Sequence, residues 1–160
     1  MNEEMVSLKK NKTWTLVEKP KNRNVINCRW VFRTKENSDG SVNRFKARLV
    51  AKGFTQKPGV DYNETFSPVV KMNSIRVILA LAASKDMEIT HFDVKTAFLH
   101  GELKEELYMK QPEGFDDQSG RVCKLLKSVY GLKQAPRQWN KKFTSFLLKF
   151  GLRKSEADSC

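Results

Sequence analysis

Cysteine is scarce in this chain and shows no pairing. Cys28, Cys123 and Cys160 are odd in number, far apart and without the close spacing of metal-binding cysteines. That argues against a disulfide framework or a zinc site and is simplest in a reducing compartment. Proline (5) and glycine (8) are few and scattered, with no repeat or low-complexity segment. Long apolar runs are missing too: the longest, "VILALAA", is far below the roughly 18 residues of a membrane span. The first residues, "MNEEMVSLKKNK", lack the basic start and apolar centre of a signal peptide. The expectation is a soluble, intracellular protein with no membrane partner. Acidic residues are also in short supply. Asp plus Glu number 18 against 30 Lys plus Arg, a net charge of +12, and only 39% of residues are hydrophobic. Such a surface carries a strong positive field and suits a polyanion, most commonly nucleic acid; a basic protein kept soluble by its charge is the competing reading. A length of 160 residues suits one domain or part of something larger.

Against that background the apolar residues fall into clear periods. Ile26, Cys28, Trp30 and Phe32 alternate with polar residues, as do Phe45, Ala47, Leu49 and Ala51, with the turn "NSDGS" between them. Period-2 runs joined by turn residues predict a β-hairpin. Residues 54–70 contain two prolines and no period and read as a loop. Ile75, Ile78, Leu79 and Ala82 then recur at helical spacing behind Asn73 or Ser74, with Val77 and Leu81 widening the stripe. A stripe that broad predicts a helix buried on most sides. "MEITHFDVKTAF" alternates as a short strand with Asp93 at its C-terminal end, and a helical stretch is predicted from there to about Glu106. "LYMKQPEGF" and "VCKLLKSV" read as strands around the turn "FDDQSG". From Ala135 an amphipathic helix runs through Trp139, Phe143, Phe146, Leu147 and Phe150, with Pro136 in its first turn and Gly151 as its stop. Nothing after that helix can pack back on it, so the chain is expected to stop inside a domain.

Three constellations carry chemistry. Asp93 is a carboxylate among large apolar residues. At a strand end it offers a hard oxygen ligand for Mg²⁺, which takes only one or two protein carboxylates besides substrate phosphates. On local sequence alone, capping the following helix is the preferred reading. His91 lies on the same face and reads as a structural histidine. Arg44, Lys46 and Arg48 project from one strand face about every 6.8 Å, twice the strand rise, comparable with the spacing of neighbouring phosphates. A solvated hairpin face is the alternative. Finally, "YGLKQAPRQW" combines Gly131, Gln134 and Pro136 with Lys133 and Arg137. Helix initiation accounts for the glycine and proline but not for the cations, which the macrodipole disfavours at a helix N-terminus.

The stretches "RFKARLVAKGF", "YNETFSPVVKMNSIRVILALAA", "HFDVKTAFLHGELKEELYMKQPEGF" and "VCKLLKSVYGLKQAPRQW" occur together and in this order. In this they closely resemble the reverse transcriptase of copia-type long-terminal-repeat retrotransposons, from about Trp14 to the end of the chain. The resemblance implies an α+β fold: the fingers hairpin and part of the palm of an RNA-directed DNA polymerase, incomplete, after an extension over residues 1–13. It implies that Asp93, with the Val94 carbonyl, binds the catalytic Mg²⁺ (or Mn²⁺) ions. Phe98 matches the aromatic that excludes a 2′-hydroxyl, Lys46 and Arg48 the ligands of the incoming triphosphate, and Gln134 a residue beside nucleotide and template base. Arg44, Lys133 and Arg137 are template or phosphate contacts. The implied partners are an RNA or DNA template with primer, deoxynucleoside triphosphates, and the remaining palm, thumb and ribonuclease H regions of a Pol polyprotein, in a cytoplasmic particle.

The implied reaction is two-metal phosphoryl transfer, and ions about 4 Å apart need several carboxylates. The family's second acidic motif lies downstream of "YGLKQAPRQW", and this chain is expected to be truncated before it. Asp116 and Asp117 are no substitute: their order is wrong and their turn lacks flanking apolar strands. The isolated chain is therefore expected to be inactive, and a non-catalytic nucleic-acid-binding remnant is the alternative.

Overall fold

Alternation decides the first architectural feature. In the computed structural model, which describes all 160 residues, β3 (Cys28–Glu36) and β4 (Val42–Ala51) form an antiparallel two-stranded ribbon. Its register pairs Trp30 with Leu49, Phe32 with Ala47 and Arg33 with Lys46, so apolar and cationic residues sort to opposite faces. The turn is closed by Asn37 and Ser41, with Asp39 accepting hydrogen bonds from the Ser41 amide and hydroxyl.

A separate four-stranded sheet holds the core. Its order is β1 (Trp14–Val17), β6 (Val122–Lys127), β5 (Glu102–Met109) and β2 (Val25–Ile26), antiparallel except for the β5–β2 pair. Ile26 therefore belongs to this sheet and not to the ribbon. Ile26, Leu107, Met109, Cys123 and Leu125 are buried on it. Three helices accompany the sheets: α1 (Asn2–Lys10), α2 (Met72–Ser84) and α3 (Ala135–Lys149). The residues read from the sequence as an extension contribute Met5 and Leu8 of α1 to the core. Helix α3 starts with Pro136 in its first turn and stops before Gly151, whose φ is +78°. No helix is long and apolar enough to cross a membrane.

Two expectations fail here. Residues 87–94 form no strand, and the stretch to Glu106 is not helical: a short 3₁₀ turn, Ala97–His100, leads straight into β5. Alternation over a few residues does not make a strand without a neighbour to share hydrogen bonds. Nor is α2 buried. Only Ala82 is, while Val77, Ile78, Leu79 and Leu81 are exposed, because no other element of this chain packs along the helix.

Candidate nucleic-acid interface

The site begins at the foot of the ribbon. Gly131 has φ +89°, and a Cβ there would lie 2.1 Å from the Ala51 carbonyl oxygen; a Cβ on Gly53 would lie 2.0 Å from that of Gly131. Only glycine lets the end of β4, the 3₁₀ turn Gly53–Thr55 and the Tyr130–Gly131 backbone meet this closely. The Ala51 amide donates to the Tyr130 carbonyl at 2.7 Å across the junction.

This junction places Tyr130 between two candidates that are 50 residues apart in sequence. The Arg48 guanidinium lies 5.5 Å from the Tyr130 ring centroid, and Phe98 meets the same ring edge-on at 5.0 Å. Arg48, Tyr130 and Phe98 thus form one continuous column. Phe98 is half-buried and also lines an open cleft of about 540 Å³ with Val69, Trp139 and Phe143. The sequence pattern by itself gives Tyr130 no role, although it stands directly before the glycine that marks the close approach.

Above the column the ribbon is strongly cationic. Arg29, Arg33 and Lys35 share a face with Arg44, Lys46 and Arg48, and the register sets Arg33 opposite Lys46 and Lys35 opposite Arg44. Like charges directly opposed in a ladder are destabilising. Desolvation, with the charges of Arg48, Arg44 and Lys35, holds the Lys46 ammonium below its ordinary value. The Arg48 Nε is buried and has no hydrogen-bond partner.

The third constellation turns inward. Gln134 is fully buried: its Nε2 donates to the Asp61 carbonyl at 3.0 Å and its Oε1 accepts from Gln56 Nε2 at 2.9 Å. Gln56 Oε1 in turn accepts from the Lys133 amide at 2.9 Å, and the Asp61 carboxylate accepts from the Lys57 amide at 2.8 Å. Lys133 Nζ reaches the Tyr62 hydroxyl at 3.1 Å, while Arg137 pairs with Glu64 and donates to the Phe66 carbonyl at 3.0 Å. These cations near the start of α3, which the macrodipole alone does not favour, tie the loop of residues 56–66 to the helix.

Asp93 stands apart from this assembly. It lies with Val94 on the exposed irregular segment before the 3₁₀ turn and makes neither a hydrogen bond nor an ion pair. It caps no helix: the N-cap position is Thr96, in the left-handed region at φ 54°, without a side-chain capping bond. A β-branched residue there is strained. Nowhere do three His, Cys, Asp or Glu side chains come together to hold a metal ion.

The column of Arg48, Tyr130 and Phe98 under a cationic ribbon is built from the segments whose order marks a polymerase, and comparison decides the matter: the family model for reverse transcriptase (RNA-dependent DNA polymerase) matches residues 11–160. The chain belongs to the reverse transcriptase family. This reverse transcriptase chain is 58% identical over 162 residues to the retrovirus-related Pol polyprotein from transposon TNT 1-94 of Nicotiana tabacum, covering 100% of this chain and 12% of the relative. It is 51% identical over 152 residues to the corresponding polyprotein from transposon RE1 of Arabidopsis thaliana, covering 93% and 10%. Against the transposon Ty1-LR2 Gag-Pol polyprotein of Saccharomyces cerevisiae identity is 34% over 169 residues, covering 99% and 9%. The chain spans about a tenth of the length of these curated relatives. No solved structure matches it.

Proposed function

We propose that this chain is the nucleotide- and template-holding part of a copia-type RNA-directed DNA polymerase, its ribbon acting as fingers and its four-stranded sheet as part of a palm. The observation that carries the reading is the column of Arg48, Tyr130 and Phe98 at the foot of the cationic ribbon face. Arg48, and Lys46 two residues before it on the strand, bind triphosphate oxygens, where the mutual repulsion of the cations is relieved by an anion. Phe98 presents an aromatic edge to the sugar. A rigid ring held by Tyr130 rejects a 2′-hydroxyl by steric exclusion, the discrimination a deoxynucleotide polymerase needs. Arg44 and the β3 cations lie further out, where a template backbone is the natural ligand. Gln134, Lys133 and Arg137 act from behind: their internal bonds hold the loop against α3 and so keep Gly131 and Tyr130 in place.

No three His, Cys, Asp or Glu side chains of this chain come together to hold a divalent ion, and Asp93 makes no hydrogen bond or ion pair that would fix it in such a site. Reverse transcriptases generally use divalent metal ions. Asp93 and the Val94 carbonyl are this chain's proposed share of such a site, Mg²⁺ or Mn²⁺, completed by acids elsewhere in the polyprotein. The exposed apolar face of α2 is the proposed seat of other polyprotein regions.

Two measurements on purified protein test the reading. Primer extension on an RNA or DNA template is expected to be undetectable with Mg²⁺ or Mn²⁺, and ready templated synthesis would refute the incompleteness of the site. Binding to a single-stranded oligonucleotide should weaken linearly in log affinity against log salt, with a slope of about −0.7 per phosphate contacted. Replacing Arg44, Lys46 and Arg48 together by alanine should flatten that slope by roughly two units if all three touch phosphate. An unchanged slope removes the ribbon from the interface.

A further inference from the structure

One acidic side chain reaches the foot of the cationic face, and it comes from α1. Burial of Met5 and Leu8 fixes that helix beside β4. Leu49 and Ala51, two residues apart, present their N–H groups along the same strand edge. The Ala51 amide donates to the Tyr130 carbonyl at 2.7 Å, and the Leu49 amide donates to Glu4 Oε1 at 3.4 Å. Glu4 is half-buried there, whereas Glu3 on the same helix is exposed.

Edge protection alone does not account for a carboxylate. A glutamine would accept the same hydrogen bond without the cost of partly burying a charge. What a glutamine lacks is negative charge at the Leu49 amide, next in the chain to Arg48, whose Nε is buried without a partner, and on the same strand as Lys46, which faces Arg33 across the ribbon; Glu4 forms a direct ion pair with neither. The charges of Arg48 and Lys46 both act on Glu4, and Glu4 acts back on Lys46.

We propose that Glu4 is a positioning residue of the ribbon's phosphate site, a built-in counter-anion that holds Arg48 and Lys46 in place while the site is empty and competes with incoming phosphate. The inference rests on reading the ribbon as the phosphate-holding surface. Its consequence is selectivity. A lone phosphate must displace the influence of a carboxylate already in position, while a ligand with several phosphates also engages Arg44, Arg33 and Lys35 beyond Glu4's reach.

The test compares Glu4→Gln with Glu3→Gln, which makes the same change in net charge on an exposed turn of the same helix. The probes are inorganic phosphate, inorganic tripolyphosphate and a short oligodeoxythymidine, measured with the full chain at neutral pH over a salt series. Glu4→Gln should bind all three at least about threefold more tightly than wild type, with the largest gain for inorganic phosphate, while Glu3→Gln changes affinity by less than about 1.5-fold, as expected for a screened surface charge. A merely structural role for Glu4 predicts unchanged or weaker binding. If Glu4→Gln lacks a folded circular-dichroism spectrum, Glu4→Asp draws the charge back toward α1 and should also tighten binding. Equal effects at positions 3 and 4, or no gain in either Glu4 variant, overturn the inference alone. Absence of salt-dependent binding by the wild type overturns the phosphate-site reading beneath it.

Discussion

Gly131 shows how much can hang on one residue. Its positive φ and the 2.1 Å that would separate an added Cβ from the Ala51 carbonyl oxygen leave no rotamer or small shift as a remedy, since the obstacle is backbone. Gly131→Ala is expected to destabilise the chain by roughly 3 kcal/mol or more, read as a lower urea midpoint, because it combines left-handed strain with forced separation of β4 from the Tyr130 segment. A midpoint within error of wild type would mean that the close approach is not present in solution. The same substitution should weaken polyphosphate binding, since Tyr130 contacts both Arg48 and Phe98. The sequence marked Gly131 as a place of unusual backbone; that its neighbour would be the ring joining Arg48 to Phe98 was not legible, because both partners come from distant segments.

At the scale of elements, ribbon and α2 make opposite cases. The alternation of Trp30 and Phe32 against Arg29, Val31 and Arg33 is local, and a strand pair converts it directly into two faces. The broad apolar stripe of α2 predicts a partner, not the partner's presence. What this chain does provide is an attachment at the start of the helix: Asp158 accepts hydrogen bonds from the Ser74 hydroxyl at 2.6 Å and the Lys71 amide at 2.9 Å. The Ser74 hydroxyl, followed by the Lys71 and Cys160 amides, holds the Asp158 carboxyl below the ordinary carboxylate range. A carboxylate with a lowered folded pKa contributes stability that is fully present above its unfolded value and is lost as pH falls through the folded one. The Lys71 amide chemical shift should therefore titrate with a midpoint below about 3.9, the ordinary aspartate value. A midpoint at or above it would show that the tail is not docked on α2. Glu4 has the reverse sign: burial, opposed by the Leu49 amide and the Arg48 and Lys46 charges, pushes its carboxyl up, so its protonated form favours folding at low pH and that contribution fades as pH rises.

The whole molecule is unusually open. Its accessible surface is 11845 Å², where a compact protein of 18.5 kDa has about 8,200 Å². Large apolar side chains are exposed along α2, at Met87, Ile89, Phe92 and Val94, at Phe143 and Phe146 of α3 with Phe150 just after it, and at Phe32 and Phe45 of the ribbon. Exposed apolar side chains recurring along one helix, as on α2, mark an interaction site. The isolated chain should bind an environment-sensitive hydrophobic dye strongly at neutral pH. Co-expression with the segment that follows the matching region in its Pol polyprotein relatives should quench that signal. Dye binding that persists in the co-purified complex would rule out α2 as the seat of that segment.

Residue order alone determined the family, the ribbon and its two faces, the strand Val122–Lys127 and helix α3, because each depends on periods and motifs contained in short stretches. It also singled out Arg48, Phe98 and Gln134, but not how they are joined. Tertiary structure decided that Gln134 is sealed in a buried amide network and that Arg48 and Phe98 meet through Tyr130. It also brought Glu4 to the foot of β4 and left Asp93 exposed and α2 uncovered. Long-range contact is the reason: a side chain's role is set by what the fold brings to it, and for Asp93 and the apolar face of α2 this chain brings no partner.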